Sequence, residues 1–385
     1  MSFATIGNMA SRTKNAFSEN VHTGPPPKYQ LDDEDTLAPR WYDVKRWGKK
    51  IWLGVAALIA IIITVVVVAV VEVEKKNRYP DYSKLTYSVA DTYSGTDFFD
   101  SFDYYTGYDP SSGFVHYVDS TVAAQYNLTY ASSTSAILRV DTSVTADSVP
   151  NASTGRFSVR ISSKKQYGLD TLFIFDVVHT PIGCATWPAL WTVDETNWPD
   201  GGEIDIMEAV NVVSSTTNQM TLHTTKDCTM ADVKRKETGT ALQGTCLNST
   251  NSNAGCGVDG GSTSFGDGFN DNGGGVMALE LRAAGIRVWQ FDRDSIPSDI
   301  TAGSPDPSTW SEATADFPNT DCSITDHFKN QTIIANIDLC GSWAGDSTVY
   351  AETCSGTCTD QVANNATAFT DAYWEFGSWT IYSAS

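Results

Sequence analysis

The sequence predicts an all-β domain, an antiparallel sandwich or barrel, preceded by one membrane-spanning helix. Three observations carry that expectation. Residues 51–71, "IWLGVAALIAIIITVVVVAVV", form an uninterrupted apolar run, long enough as a helix to cross a hydrocarbon core of about 30 Å. Beyond it, short β-branched and aromatic segments recur: "GRFSVRISS", "TLFIFDVVH", "EIDIMEAV", "QMTLHTT" and "GIRVWQFD". Clusters of Gly, Asn, Asp and Pro separate them, the pattern of many antiparallel strands joined by turns. Convincing amphipathic helices are few, and "SEATADF" (311–317) or the stretch before Cys322 is expected to hold a helical turn at most.

From the N-terminus, residues 1–50 contain Gly-Pro-Pro-Pro at 24–27 and "DDED" at 32–35 without sustained periodicity. They are expected to be a disordered cytoplasmic tail. Within the span only Thr64 is mildly polar. A core helix rarely runs so long without a charge, and a cleaved leader would need a small-residue site after the run, which is missing. Arg40, Lys45, Arg46, Lys49 and Lys50 precede the span, whereas Lys75, Lys76 and Arg78 follow it mixed with Glu72 and Glu74. That bias puts the N-terminus in the cytoplasm. The expectation is a single-pass type II protein whose bulk lies in the secretory lumen or outside the cell. Residues 72–84 read as a stalk, and 85–385, lacking any linker or repeat, as one domain.

Cysteines and sequons agree with that compartment. All eight cysteines (184, 228, 246, 256, 322, 340, 354 and 358) follow the span, and an even number in an oxidising compartment reads as disulfides of open pairing. A zinc site would need further close pairs or interleaved His beyond "CSGTC" at 354–358, so no metal and no cofactor is expected. Asn-x-Ser/Thr sequons at Asn127, Asn151, Asn248, Asn330 and Asn365 also lie beyond the span, which fits N-glycosylation. The net charge of −21 opposes nucleic-acid binding and suits a neutral polymer such as a polysaccharide.

The informative stretch is "PDGGEIDIMEAVN" (199–211), with Glu203, Asp205 and Glu208 among apolar neighbours. As a helix it would scatter its acids, and Pro199 and Gly201-Gly202 start helices poorly. As a strand it puts Glu203 and Asp205 on one face with Ile204 and Ile206 on the other. Glu208 then breaks parity unless a β-bulge at Met207 swings it back. A plain solvated face would leave three acids without Lys or Arg among them. A calcium loop would want EF-hand-like Gly and Asn spacing. Two carboxyl groups flanking a glycosidic bond, one ionised nucleophile and one proton donor, explain the cluster best. Mutual repulsion would keep one of them protonated.

"GGEIDIMEAVN" resembles the signature of glycoside hydrolase family 16, in its fungal laminarinase-like branch. Similar blocks follow family order at 98–119 ("FFDSFDYYTGYDPSSGFVHYVD"), 181–191 ("PIGCATWPALW"), 218–225 ("NQMTLHTT"), 285–300 ("GIRVWQFDRDSIPSDI") and 340–345 ("CGSWAG"). The resemblance implies a curved, concanavalin-like β-jelly-roll with a cleft for β-glucan, and retaining endo-hydrolysis of 1,3- or mixed 1,3/1,4-linkages. Glu203 would be the nucleophile, Glu208 the general acid and then base, and Asp205 the group that holds their protonation states apart. Trp191 and Trp198 would line the subsites beside the cleavage point; Trp343, His223 and His116 are further candidates for substrate contact. Departures are Ala209 where Gly is common, His116 where Asn is common, and "ALELRAAG" (278–285) in place of an "EW" version. Membrane-anchored relatives linked with β-1,6-glucan assembly make wall remodelling by transglycosylation the alternative. A non-catalytic glucan-binding module ranks last, because all three acids are present.

Overall fold

The strand-like segments fold as strands because their alternating side chains have two different environments to enter. The computed structural model describes residues 44–144 and 155–384; the tail expected over 1–43 and the sequon at Asn151 lie outside them. The first strands are β1 (Tyr87–Ser94), β2 (Phe102–Tyr104), β3 (Val115–Tyr117), β4 (Thr129–Ala131), β5 (Ala136–Arg139) and β6 (Arg156–Ser158). There follow β7 (Arg160–Tyr167), β8 (Thr171–His179), β9 (Thr186–Val193), β10 (Glu203–Glu208), β11 (Gln219–His223) and β12 (Thr240–Ala241). The last are β13 (Cys256–Asp259), β14 (Gly275–Arg282), β15 (Gly285–Asp292), β16 (Ala315–Pro318), β17 (Gln331–Leu339) and β18 (Tyr373–Ala384).

They make two antiparallel sheets of a β-sandwich. The first runs β16-β15-β14-β8-β18-β5-β4, with β1 also pairing β18; the second runs β12-β13-β11-β10-β9-β17-β7-β2. The short strands β3 and β6 pair in parallel beside them. Between the sheets, Phe173, Phe175, Leu279, Leu281 and Trp379 from the first meet Leu190, Ile204, Leu222, Ile333 and Ile337 from the second, all fully buried. The other face of the first sheet is also covered: Leu172, Ile174, Trp289 and Phe291 form a second apolar cluster, with Trp310 packed against it. The other face of the second sheet is polar, and it carries the acids of the motif.

"SEATADF" does not form a helical turn. Its end enters β16, with Phe317 opposite Ile286 of β15. Ala315 and Phe317 join the inter-sheet core, while Asp316 meets the backbone N–H of Lys236 at 2.8 Å. That alternation suits a strand. The helical turn lies after Cys322 instead, at Ile324–His327.

All eight cysteines are paired: Cys184–Cys354, Cys228–Cys322, Cys246–Cys256 and Cys340–Cys358. Two of these bonds tie the helical segment around 341–364 to the ends of β9 and β17.

The helix expected at 51–71 runs over Lys49–Asn77. It is the one helix among the described residues long and apolar enough to cross a membrane, and none of its apolar stretch is buried. Thr64 is satisfied within it, its hydroxyl donating to the Ala60 carbonyl at 2.9 Å. The residues read as a stalk are helical to Asn77, and the rest pack on the first sheet. Thr320 Oγ1 donates to the Arg78 carbonyl (3.1 Å), Tyr82 to Asp316 (3.3 Å), and Arg282 to the Ser83 carbonyl (3.1 Å). The Arg287 guanidinium lies 4.1 Å over the Tyr82 ring.

Candidate active site

Directly opposed residues in an antiparallel ladder send their side chains to the same side. Glu203, Asp205 and Glu208 oppose Val193, Trp191 and Ala189 on β9, and Glu203, Asp205 and Glu208 oppose His223, Thr221 and Gln219 on β11. The neighbours step by two each time, whereas β10 steps by two and then by three. The register shift lies between Asp205 and Glu208 on both edges, so the expected bulge is present and Glu208 returns to the acidic face. Ile206 and Met207 are both fully buried.

A bulge leaves backbone groups outside the ladder, and Asn218 takes them up. The Glu208 N–H donates to Asn218 Oδ1 at 2.9 Å, and Asn218 Nδ2 donates to the Ile206 carbonyl at 3.0 Å. Its own N–H donates to Ser264 Oγ at 2.6 Å. One amide side chain therefore holds the irregularity that aims Glu208.

Each glutamate has one oxygen occupied by an indole. Trp198 Nε1 donates to Glu203 Oε2 at 2.5 Å, and Trp187 Nε1 donates to Glu208 Oε1 at 2.7 Å. Asp205 Oδ2 is 3.1 Å from His223 Nε2, and Asn253 Oδ1 is 3.1 Å from His223 Nδ1. With an acceptor at each ring nitrogen, the geometry suits the imidazolium. Burial opposes that charge, but the hydrogen bond to Asp205 and the three surrounding acids push His223 up to about 9. Burial, then the Asp205 charge, pushes Glu203 up to about 7 and Glu208 up to about 8. Glu203, Asp205 and His223 also bring ligand atoms within 4.8 Å of one another, yet an imidazolium has no lone pair for a metal.

Around the acids, Trp191 Nε1 donates to Asn336 Oδ1 at 2.8 Å, and the Arg160 guanidinium lies 4.9 Å from the centroids of both Trp191 and Tyr105. Trp343 stands edge-on to Trp187, ring centroids 5.7 Å apart. The structure thus gathers Trp191, Trp198 and His223 at the acids and connects Trp343 through Trp187. His116 is exposed on β3, where it meets Phe157 edge-on at 5.1 Å, and among the described residues no contact joins it to the acids. Trp187, Asn218 and Arg160 are additions to the sequence reading. Trp187 was within reach of it, because residues 187, 189 and 191 share one face of a strand.

Residues 102–382 match the family described as XgeA-like, catalytic GH16 domain. The chain is 46% identical over 310 residues to a probable glycosidase of Schizosaccharomyces pombe, covering 80% of this chain and 72% of that one. It is 36% identical over 308 residues to a probable endo-1,3(4)-beta-glucanase of Aspergillus fumigatus, 77% of this chain but only 45% of that longer one. Among solved structures, laminarinase 16A of Phanerochaete chrysosporium, with β-glucans in donor and acceptor sites, is 42% identical at a TM-score of 0.72, covering 77% of this chain and 99% of that one. An elongating GH family 16 β-1,3-glucosyltransferase is 38% identical at a TM-score of 0.70, covering 77% and 100%. With a match of that extent over the sandwich and its acids, the chain belongs to glycoside hydrolase family 16, in the XgeA-like branch.

Proposed function

We propose that the domain hydrolyses β-1,3- or mixed β-1,3/1,4-glucan internally with retention, through a glycosyl-enzyme intermediate. The observation that carries this reading is the bulge, which brings Glu208 to the face of Glu203 while leaving each glutamate one oxygen free of its indole donor. Ionised Glu203 attacks the anomeric carbon as Glu208 hands its proton to the departing sugar oxygen. Glu208, now a carboxylate, takes a proton from the incoming water, whose oxygen then displaces Glu203. Retention calls for the two carboxyl groups to sit about 5–5.5 Å apart. Asp205, paired with charged His223, keeps a negative charge between the two glutamates and so favours one shared proton over none. Trp191, Trp198 and Trp343 offer flat rings to sugar faces.

The likeness to an elongating glucosyltransferase supports a second reading, transfer to a sugar acceptor in place of water. We further propose that the apolar helix anchors the chain with its N-terminus in the cytoplasm, that the folded domain begins near residue 78, and that Asn127, Asn330 and Asn365, all exposed, carry glycans. The four disulfides support that side of the membrane.

The test uses the full chain in detergent with laminarin, lichenan and a β-1,6-glucan, with and without an added laminari-oligosaccharide. Shortened products with retained anomeric configuration are expected from the first two. Products longer than the acceptor would move the reading to transfer. Inertness on all three, or an initial product of inverted configuration, would refute it.

A further inference from the structure

Outside the acids of β10, a second carboxyl group is buried on the same sheet and has no place in the chemistry above. Asp338, 3% exposed, lies near the end of β17 directly opposite Trp187 of β9. Its Oδ1 accepts the Leu339 N–H at 2.6 Å, while its buried Oδ2 meets no donor. Asp109, in the loop before β3, accepts the N–H groups of Ser111 and Gly113 at 2.8 and 2.9 Å through its Oδ2. Gly113 is also where Asp338 packs, since a Cβ on that glycine would overlap the Asp338 carboxyl group. Two acids therefore meet across one glycine. The other charged or titratable groups facing Asp338 are Tyr117 on β3 and Arg160 on β7. The Tyr117 hydroxyl already accepts from Asn336 Nδ2 at 3.1 Å.

A buried carboxyl group in contact with a half-buried one is pushed to keep its proton, because the two charges together would repel where little water screens them. One proton between them turns the orphaned Oδ2 into a donor to Asp109. Burial and the Asp109 charge, in that order, hold Asp338 well above the usual carboxylate range, which agrees. The same place is where loop 105–114 is pinned. Phe114 N–H donates to the Leu339 carbonyl at 2.7 Å, and Ser342 N–H donates to the Ser111 carbonyl at 2.8 Å. A Cβ on Gly341 would stand 3.0 Å from both Asp338 Oδ2 and the Trp187 ring.

We propose that Asp338 is a positioning residue acting as a neutral acid: the proton it shares with Asp109 latches loop 105–114 to the end of β17 and fixes the Trp187–Trp343 pair that holds Glu208. The kinetic half of this rests on Glu208 being the general acid. The stability half does not, which keeps the two failures distinguishable.

The experiment compares full-length wild type with Asp338→Asn, Asp338→Ala and Asp109→Asn, by laminarin kinetics against pH and by thermal melting without substrate. Asn is neutral and keeps a donor, so Asp338→Asn should stay within about twofold of wild type in kcat/KM. Asp338→Ala should fall about tenfold, and its alkaline limb should move to higher pH as the Trp187 donor to Glu208 loosens. A raised folded pKa makes wild-type stability fall as pH rises above about 4, because the folded chain keeps a proton the unfolded one releases. Asp338→Asn and Asp109→Asn should flatten that fall. The latch is overturned if Asp338→Asn is as damaging as Asp338→Ala, or if Asp109→Asn steepens the fall. It is also overturned if calcium raises the melting temperature of wild type but not of Asp338→Asn, since an ionised cation ligand would then replace the shared proton. Should Asp338→Ala not fold, the two Asn variants still decide.

Discussion

Glu280 on the first sheet and the acids of β10 on the second are both buried carboxyl groups, but they are compensated differently. Glu280, 1% exposed, receives Arg287 Nε and Nη2 at 2.9 and 2.5 Å on one oxygen. The Tyr87 hydroxyl at 2.9 Å and Arg282 at 3.5 Å approach the other. One negative charge there meets two guanidiniums. On β10, three acids share one imidazolium and two neutral indole donors. Full compensation fixes a charge and makes it structural, whereas incomplete compensation leaves protons to be exchanged, which general acid catalysis requires.

The largest expected contrast comes from the isosteric pair Glu203→Gln and Glu280→Gln. Glu203→Gln should cut kcat by about 10⁴-fold, as removal of a reacting group does, with melting temperature held or raised because a poorly compensated charge is gone. Glu280→Gln should cost about 3 kcal/mol of stability by stranding two arginines, with kcat largely kept below the melting transition. Reversed outcomes would break the comparison. Next, Asp205→Asn should lower kcat by about 10²-fold. Loss of that negative charge lets both glutamates ionise more easily, so both limbs of the pH–rate profile should move to lower pH. Unmoved limbs would mean that Asp205 does not tune them. The smallest effect is expected of Asn218→Ala, about tenfold in kcat. It should also cost about 1–3 kcal/mol from the unpaired Glu208 N–H and Ile206 carbonyl, read by kinetics alongside denaturant melts.

What the sequence made legible was local. The E-x-D-x-x-E spacing, the parity fault at Met207 and Trp198 five residues upstream of Glu203 all lie within one short segment, where strand periodicity decides which way each side chain points. The five segments read as strands, which fall on β6–β7, β8, β10, β11 and β15, were readable for the same reason. What stayed hidden depends on register between distant segments. Asn218 matters only because β11 folds back beside β10, and Asp338 only because β17 ends opposite Trp187. The arginines that answer Glu280 are two and seven residues away along a hairpin, a proximity that composition does not reveal. The strand at "SEATADF" was hidden for the same reason: the partners of Asp316, Tyr82 and Lys236, lie about 234 and 80 positions away along the chain. His116 was placed by resemblance alone, and on its strand it is the next residue, Tyr117, that reaches Asn336, the partner of Trp191.

The bulge in β10 has a consequence for how this chain can vary. A substitution at Ile206 or Met207 alters packing volume, whereas loss of one of them takes the bulge away and returns the strand to strict alternation, with Glu203, Asp205 and Glu208 at every second position and still on one face. The harmful change is an unmatched one: a strand straightened at its present length, or lengthened by one residue beside the bulge, would point Glu208 between the sheets while all the letters of the motif survived. Length and bulge are therefore constrained together across these six positions. A single-residue deletion that removes the bulge keeps the acids together, whereas a single-residue insertion that leaves it in place separates them.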